Sequence, residues 1–202
     1  MRHAALRARP RRRRGAADTG GRLTHAVAPN VLDRTFTAAS MNCKWVADCP
    51  DLWTAEGLLS LAAVVDLFSR RVVGWSMRAT MTAQLVTDAL VMVPGRRGKP
   101  EAVVHQADRG SQYTRKSFQP PLANHGVICS MSRAGNVWDN AAMESFLSSL
   151  KTERTAAKTY RTRAQAKVDV FDYIERFDNP TRRHSTLGYL RPMEFERQAE
   201  LA

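Results

Sequence analysis

Asp48, Asp108 and Glu144 are the residues of this 202-residue chain whose types and settings could do chemistry. Asp108 follows the short apolar run Ala102-Val103-Val104, so it sits where a buried strand meets solvent. Glu144 lies within a segment whose apolar residues Met143, Phe146, Leu147 and Leu150 recur at i, i+3, i+4 and i+7, the period of one buried helical face. It projects from the edge of that face. Lys151 is seven residues on, two turns along the same side, so a carboxylate and a cation share one ridge. Asp48 ends a third apolar run, Lys44-Trp-Val-Ala. Singly, each acid reads as a turn-former or a solvated helix position. Together they make a set of hard oxygen donors on two strands and a helix, which suits metal-assisted phosphoryl chemistry.

Carboxylates in that order are how an RNase-H-like fold gathers ligands for two divalent cations, and longer phrases extend the likeness. They are Pro29-Asn-Val-Leu-Asp-Arg-Thr-Phe-Thr37, Lys44-Trp-Val-Ala-Asp48, Val65-Asp-Leu-Phe-Ser-Arg-Arg-Val-Val-Gly-Trp75 and Asp108-Arg-Gly-Ser-Gln-Tyr-Thr114. Gly135-Asn-Val-Trp-Asp-Asn140 with Met143-Glu-Ser-Phe146, and Arg182-Arg-His-Ser-Thr-Leu-Gly-Tyr-Leu190, complete the set. Over about residues 29 to 197 the sequence resembles the integrase-type catalytic core of bacterial insertion-sequence transposases, the OrfB half of the IS-three family, relatives of retroviral integrases.

The resemblance implies an α/β fold with an RNase-H-like mixed five-stranded sheet flanked by helices. It implies a polynucleotidyl transferase that cuts a DNA strand at an element end and transfers the new 3′-hydroxyl. Two Mg2+ ions, with Mn2+ as a substitute, would be held by Asp48, Asp108 and Glu144, Asp48 bridging both. Lys151 would grip a phosphate, and Arg109, Arg133, Asn136, Asn140, Arg182 and Arg183 complete the expected DNA-contacting set. The implied partners are DNA, further copies of the chain assembled on it, and a helix-turn-helix partner product. In the family such end-reading helices precede the phrase at Pro29, and residues 1 to 28 supply none. Two other functions stay open: a catalytically inactive DNA-binding remnant that modulates an active transposase, and an RNase-H-like nuclease.

Composition agrees with a nucleic-acid partner. The net charge is +12, and the first 42 residues carry nine Arg against Asp18 and Asp33. The arginine-rich start lacks apolar periodicity and reads as a disordered basic linker over 1 to 28, ahead of a core over 29 to 158 and a helical extension over 159 to 202. No apolar run is long enough to cross a membrane, and Cys43, Cys49 and Cys129 form no C-x-x-C pair. A reduced bacterial cytoplasm, at the nucleoid, is the expected setting.

The strands that position the carboxylates are expected at 44–49, 58–67, 71–78, 101–106 and 127–131. Asp66, on the second, reads as a structural turn-side residue. A helix from Thr82 should stop at Pro94-Gly95, and Pro120-Pro121 should break the segment 114–124 in two. Asn136 is the expected N-cap of the Glu144 helix. Thr162-Arg-Ala-Gln165 reads as a capping box opening a helix that buries Val170, Phe171, Ile174 and Phe177. The run Cys49-Pro50-Asp51 departs from the family, which continues the first strand here. Proline cannot donate to a ladder, so the strand should end early and activity should suffer from it, as from truncation.

Overall fold

The computed structural model of the chain describes residues 38–97, 103–107, 127–131 and 141–201. Asp108, Arg109, Arg133, Asn136, Asn140, the linker 1–28 and the broken segment 114–124 lie outside the described residues.

A hairpin holds the first carboxylate. β1 (Lys44–Asp48) and β2 (Asp51–Thr54) both run antiparallel to β3 (Gly57–Asp66), in one continuous register from Trp45 opposite Asp66, through Asp48 opposite Ala63 and Asp51 opposite Ser60, to Thr54 opposite Gly57. The break at Cys49-Pro50 is therefore shorter than expected. Leu61 donates its N–H to the Pro50 carbonyl at 2.9 Å, so the ladder crosses the proline and is short only of the N–H that residue 50 lacks. Because of that break the sheet has six strands where five were expected. β4 (Val72–Arg78) pairs with the other side of β3. β5 (Val103–Ala107) lies parallel to β1, with Val46 opposite Gln106, and β6 (Val127–Met131) lies parallel to β5.

Both faces of this mixed sheet are covered, which is why β3 reads as an unbroken buried run from Leu59 to Asp66. Alternation along β1 divides its side chains. Trp45 and Ala47 face α1 (Ala83–Arg97), packing with Leu85, Val86, Ala89, Leu90 and Val93. Val46 faces the other way, into a cluster with Met143, Phe146, Leu147 and Leu150 of α2 (Ala141–Leu150) and Ala166 and Val170 of α3 (Arg163–Phe171). Helix α1 lies so close to β4 that a Cβ on Gly74 would meet the Ala89 carbonyl oxygen at 2.2 Å.

Helix α1 continues through Pro94 and Gly95 instead of stopping there. Proline's fixed φ of about −65° is itself helical. With the preceding turns anchored on the sheet, the chain makes one further turn at the cost of the bond that residue 94 cannot donate.

Thr162 caps α3 as expected, its Oγ1 accepting from the Gln165 N–H at 3.1 Å. The return bond is displaced by one residue, because Gln165 Oε1 accepts from the Arg161 N–H. The buried stripe differs from the expected one. It runs Ala166, Val170, Tyr173 and Ile174, while Phe171 and Phe177 remain about two-fifths exposed, at 39% and 40%. That stripe, i, i+4, i+7 and i+8 from Ala166, is one ordinary helical face, which Phe171 at i+5 is not on, and after Phe171 the helix widens into a π segment, Asp172–Asp178. From there the tail straps the β3–β4 end of the sheet. Asn179 bonds both backbone groups of Val72 through its amide, Glu196 of α4 (Pro192–Glu200) accepts from Ser69 and Arg71, and Phe195 packs on Phe68.

Candidate active site

Asp48 is half-buried at the end of β1. Two residues beyond Val46, it shares that residue's face of the sheet, the face covered by α2 and α3. Just past the strand end, the Cys49 N–H donates to Asp48 Oδ1 at 2.7 Å and so orients the carboxylate.

Glu144 is exposed in the first turn of α2, directly beside Met143, which is fully buried in the cluster that includes Val46. The core seam between α2 and β1 therefore runs beside both carboxylates. Asp108 lies outside the described residues; β5 ends at Ala107, one residue before it. Among the described residues no three His, Cys, Asp or Glu side chains gather closely enough to hold a metal.

Asp66 belongs to the structure and not to this set. It is completely buried, and its two oxygens accept from the N–H groups of Asn42 and Phe68 at 2.7 and 2.8 Å, fixing the entry to β1 and the β3–β4 turn.

Lys151 begins a π turn, Lys151–Thr155, that extends α2, and it is exposed. Arg183 is exposed as well. Arg182 is turned inward. Its Nη2 donates to Ser149 Oγ at 2.8 Å and to Glu153 Oε1 at 2.9 Å, while Nε reaches both Glu153 oxygens at 3.2 Å. The Tyr173 hydroxyl also donates to Glu153, at 3.0 Å. Burial pushes the Tyr173 hydroxyl up, with Asp178 and Glu153 adding to the shift.

Beneath this clamp lies Asp178, which has no exposed surface and no hydrogen bond to either oxygen within the described chain. Burial raises its carboxyl to about 7, against the pull of Arg182 and with the push of Glu153. His184, with Nε2 3.9 Å from Asp178, is held down to about 4 by burial and by the positive charges of Arg182 and Arg70. Sequence reasoning missed Ser149, Glu153, Tyr173 and Asp178. Tyr173 had a signal, the i+7 position counted from Ala166; the others had no local pattern.

Two integrase core domain families match the chain, one over residues 38–137 and the other over 144–199. The transposase InsF of insertion sequence IS3fB from Escherichia coli is 45% identical over 172 residues, covering 85% of this chain and 60% of that protein. The transposase of insertion sequence element IS904 from Lactococcus lactis is 41% identical over 169 residues, covering 84% of this chain and 67% of that protein. The chain belongs to the integrase-core family of insertion-sequence transposases. It spans about 60% of the length of the InsF relatives.

Solved structures agree on the family's fold. A chain of the simian T-cell lymphotropic virus intasome, in complex with a PP2A regulatory subunit, matches with TM-score 0.64 at 15% identity, covering 89% of this chain and 60% of that one. The HTLV-2 integrase catalytic core domain in complex with magnesium matches with TM-score 0.57 at 15% identity, covering 78% and 98%. The RNase-H-like α/β architecture expected from the sequence is the one found.

Proposed function

We propose that this chain is the catalytic core of a DNA transposase, which cuts a strand at the end of a mobile element and joins the new 3′-hydroxyl to a second phosphodiester. One observation carries the reading beyond family membership. Asp48 ends a strand on the sheet face covered by the helix that bears Glu144, and the buried seam between strand and helix runs beside both. Asp108 is proposed as the third carboxylate. Its support is that β5, which ends at Ala107, one residue before it in the sequence, runs parallel to β1, the strand that ends at Asp48.

The proposed donor set is oxygen only, which fits hard divalent cations, Mg2+ first and Mn2+ as a substitute. On this reading Asp48, Asp108 and Glu144 would be the residues that hold such ions. Ions so held offset the charge of the phosphodiester and make water or a 3′-hydroxyl a better nucleophile. The chain's own residues set the geometry. The Cys49 amide orients Asp48, and Lys151, exposed at the end of α2, meets a DNA phosphate as a point charge. Arg183, Arg109, Arg133, Asn136 and Asn140 are proposed as further DNA contacts. The catalytic core is assigned to residues 29–158, the linker to 1–28, and the extension to 159–202. Its partners are element-end and target DNA at the bacterial nucleoid, further copies of the chain on that DNA, and a product supplying end-reading helices.

The test is a strand-transfer assay with labelled duplexes carrying the element's end, run with Mg2+ and then Mn2+. Joined product that disappears in Asp48→Asn and Glu144→Gln supports the reading. Cleavage without joining would favour a nuclease, and DNA binding with no metal-dependent chemistry would favour a non-catalytic remnant.

A further inference from the structure

The Arg182 clamp offers a role distinct from DNA contact. From the geometry we infer that Arg182 is a positioning residue that fixes, through Ser149 and Glu153, the placement of the helix carrying Glu144. This rests on the catalytic reading above and adds to it the residue that keeps one of its carboxylates in place.

The apolar side of α2 cannot fix that placement alone. Met143, Phe146, Leu147 and Leu150 hold the helix against the sheet, but apolar contact is non-directional and tolerates sliding and rotation about the helix axis. Arg182 supplies direction. Its planar fork bonds Ser149 and Glu153, four residues apart along the helix, so one rigid group sets both axial position and rotation. Ser149 is five residues from Glu144, about one and a half turns along the same helix.

The clamp also meets the helix where its winding changes. Glu153 lies in the π turn that starts at Lys151, and Arg182 and Tyr173 both hold its carboxylate. Were the turn to tighten to ordinary α geometry, Glu153 would rotate away from these donors, and the turn that displays Lys151 would shift with it. The clamp is anchored in turn, since the Arg182 N–H donates to the Phe177 carbonyl at 2.8 Å, at the end of the helix that buries Tyr173 and Ile174. The guanidinium is committed inward, with the Arg182 side chain 23% exposed, while the neighbouring Arg183 is exposed to solvent. Metal-binding carboxylates tolerate displacements of only about 0.5 Å, so a clamp of this kind acts on metal affinity before it acts on folding.

The experiment measures Mn2+ uptake by the whole chain, using electron paramagnetic resonance of the free ion, alongside amide exchange and thermal melting. Unmodified protein, Arg182→Met, Arg182→Lys and the milder Glu153→Gln are compared. Arg182→Met and Glu153→Gln should each raise the half-saturating Mn2+ concentration about tenfold, as loss of a group supporting a metal ligand does. Arg182→Lys should recover part of the loss, and exchange should quicken over 149–155 and not in β3. Unchanged uptake in both clamp variants, with β3 still protected, would overturn the inference. So would weakened DNA binding in Arg182→Met with Mn2+ uptake intact, which would make Arg182 a DNA contact. Absence of Mn2+ uptake by the unmodified chain would instead overturn the catalytic reading, and this inference with it, an outcome separate from uptake that ignores Arg182.

Discussion

Leu61 donates its backbone N–H to the carbonyl of Pro50 at 2.9 Å, on the same register that sets Asp48 opposite Ala63. The two strands therefore stay aligned across a residue that breaks strands elsewhere. What Pro50 removes is one donor, and an unmade buried bond of that kind costs about 1–3 kcal/mol. Replacing Cys49-Pro50-Asp51 by Ile-Thr-Tyr should accordingly raise the unfolding free energy, read from urea denaturation, by an amount in that range. Strand transfer should change by less than about threefold, the equivalent of under 1 kcal/mol in a barrier. A large gain in transfer would show that the break misplaces Asp48 after all.

The two aspartates of the β1–β3 hairpin should separate in mutagenesis. Asp66 is buried and accepts from two backbone N–H groups, and bonds to a charged acceptor are worth about 1.5–3 kcal/mol each. Asp66→Ala should therefore lower the melting temperature severely. Asp48→Asn keeps an oxygen for the Cys49 amide, so its melting temperature should stay close to that of the unmodified chain while Mn2+ uptake is lost. Equal thermal losses in the two variants would mean that Asp48 is a structural residue.

The hairpin was legible from its short apolar runs, and α2 from the i, i+3, i+4, i+7 stripe from Met143 to Leu150. Those patterns put Asp48 at a strand end and Glu144 beside a buried seam. Asp66 was legible from its place before a turn. The clamp was not, because Arg182 finds Glu153 29 residues upstream and a run reading Thr-Arg-Arg-His resembles any solvated basic stretch. The stripe of the C-terminal helix was misread because it was counted from Val170 with Phe171 included, whereas the period counted from Ala166 leads to Val170, Tyr173 and Ile174 and leaves Phe171 at the edge. Likewise, Pro94 was read as a stop from its local cost, which ignores the anchorage of the preceding turns on β4.

Lys151→Ala should weaken DNA binding without loosening the helix. The side chain is exposed, and substitutions at such positions shift stability by no more than about 0.5 kcal/mol. Binding of the unmodified chain should fall steeply with salt and depend little on sequence. Removing one phosphate contact should reduce the slope of log affinity against log salt by about 0.9. A drop in melting temperature with unchanged affinity and slope would place Lys151 on the packing side of the helix.

Asp178 should make the protein less stable as pH rises. Its folded carboxyl titrates at about 7, above the ordinary value of 3.8, so the folded state holds this proton more tightly than the unfolded state does. Between those two values the folded chain keeps a proton that the unfolded chain has released. Stability from this group is therefore greatest near pH 4, declines through the window, and is fully lost above about 7. His184 works the other way. Its folded value of about 4 lies below the ordinary 6.5, so its contribution is lost as pH falls from 6.5 to 4. The two slopes offset each other in the unmodified chain over that window. Asp178→Asn removes one of them, and its melting temperature should climb between pH 4 and 6.5 where the parent stays nearly flat. Its advantage over the parent should be largest at pH 8. A shift of three pKa units corresponds to about 4 kcal/mol as an upper bound. Melting curves of the two proteins from pH 4 to 8 decide it: if Asp178→Asn is the less stable protein at pH 8, Asp178 is a charged partner of Arg182 in the folded state and its carboxyl lies below the ordinary range.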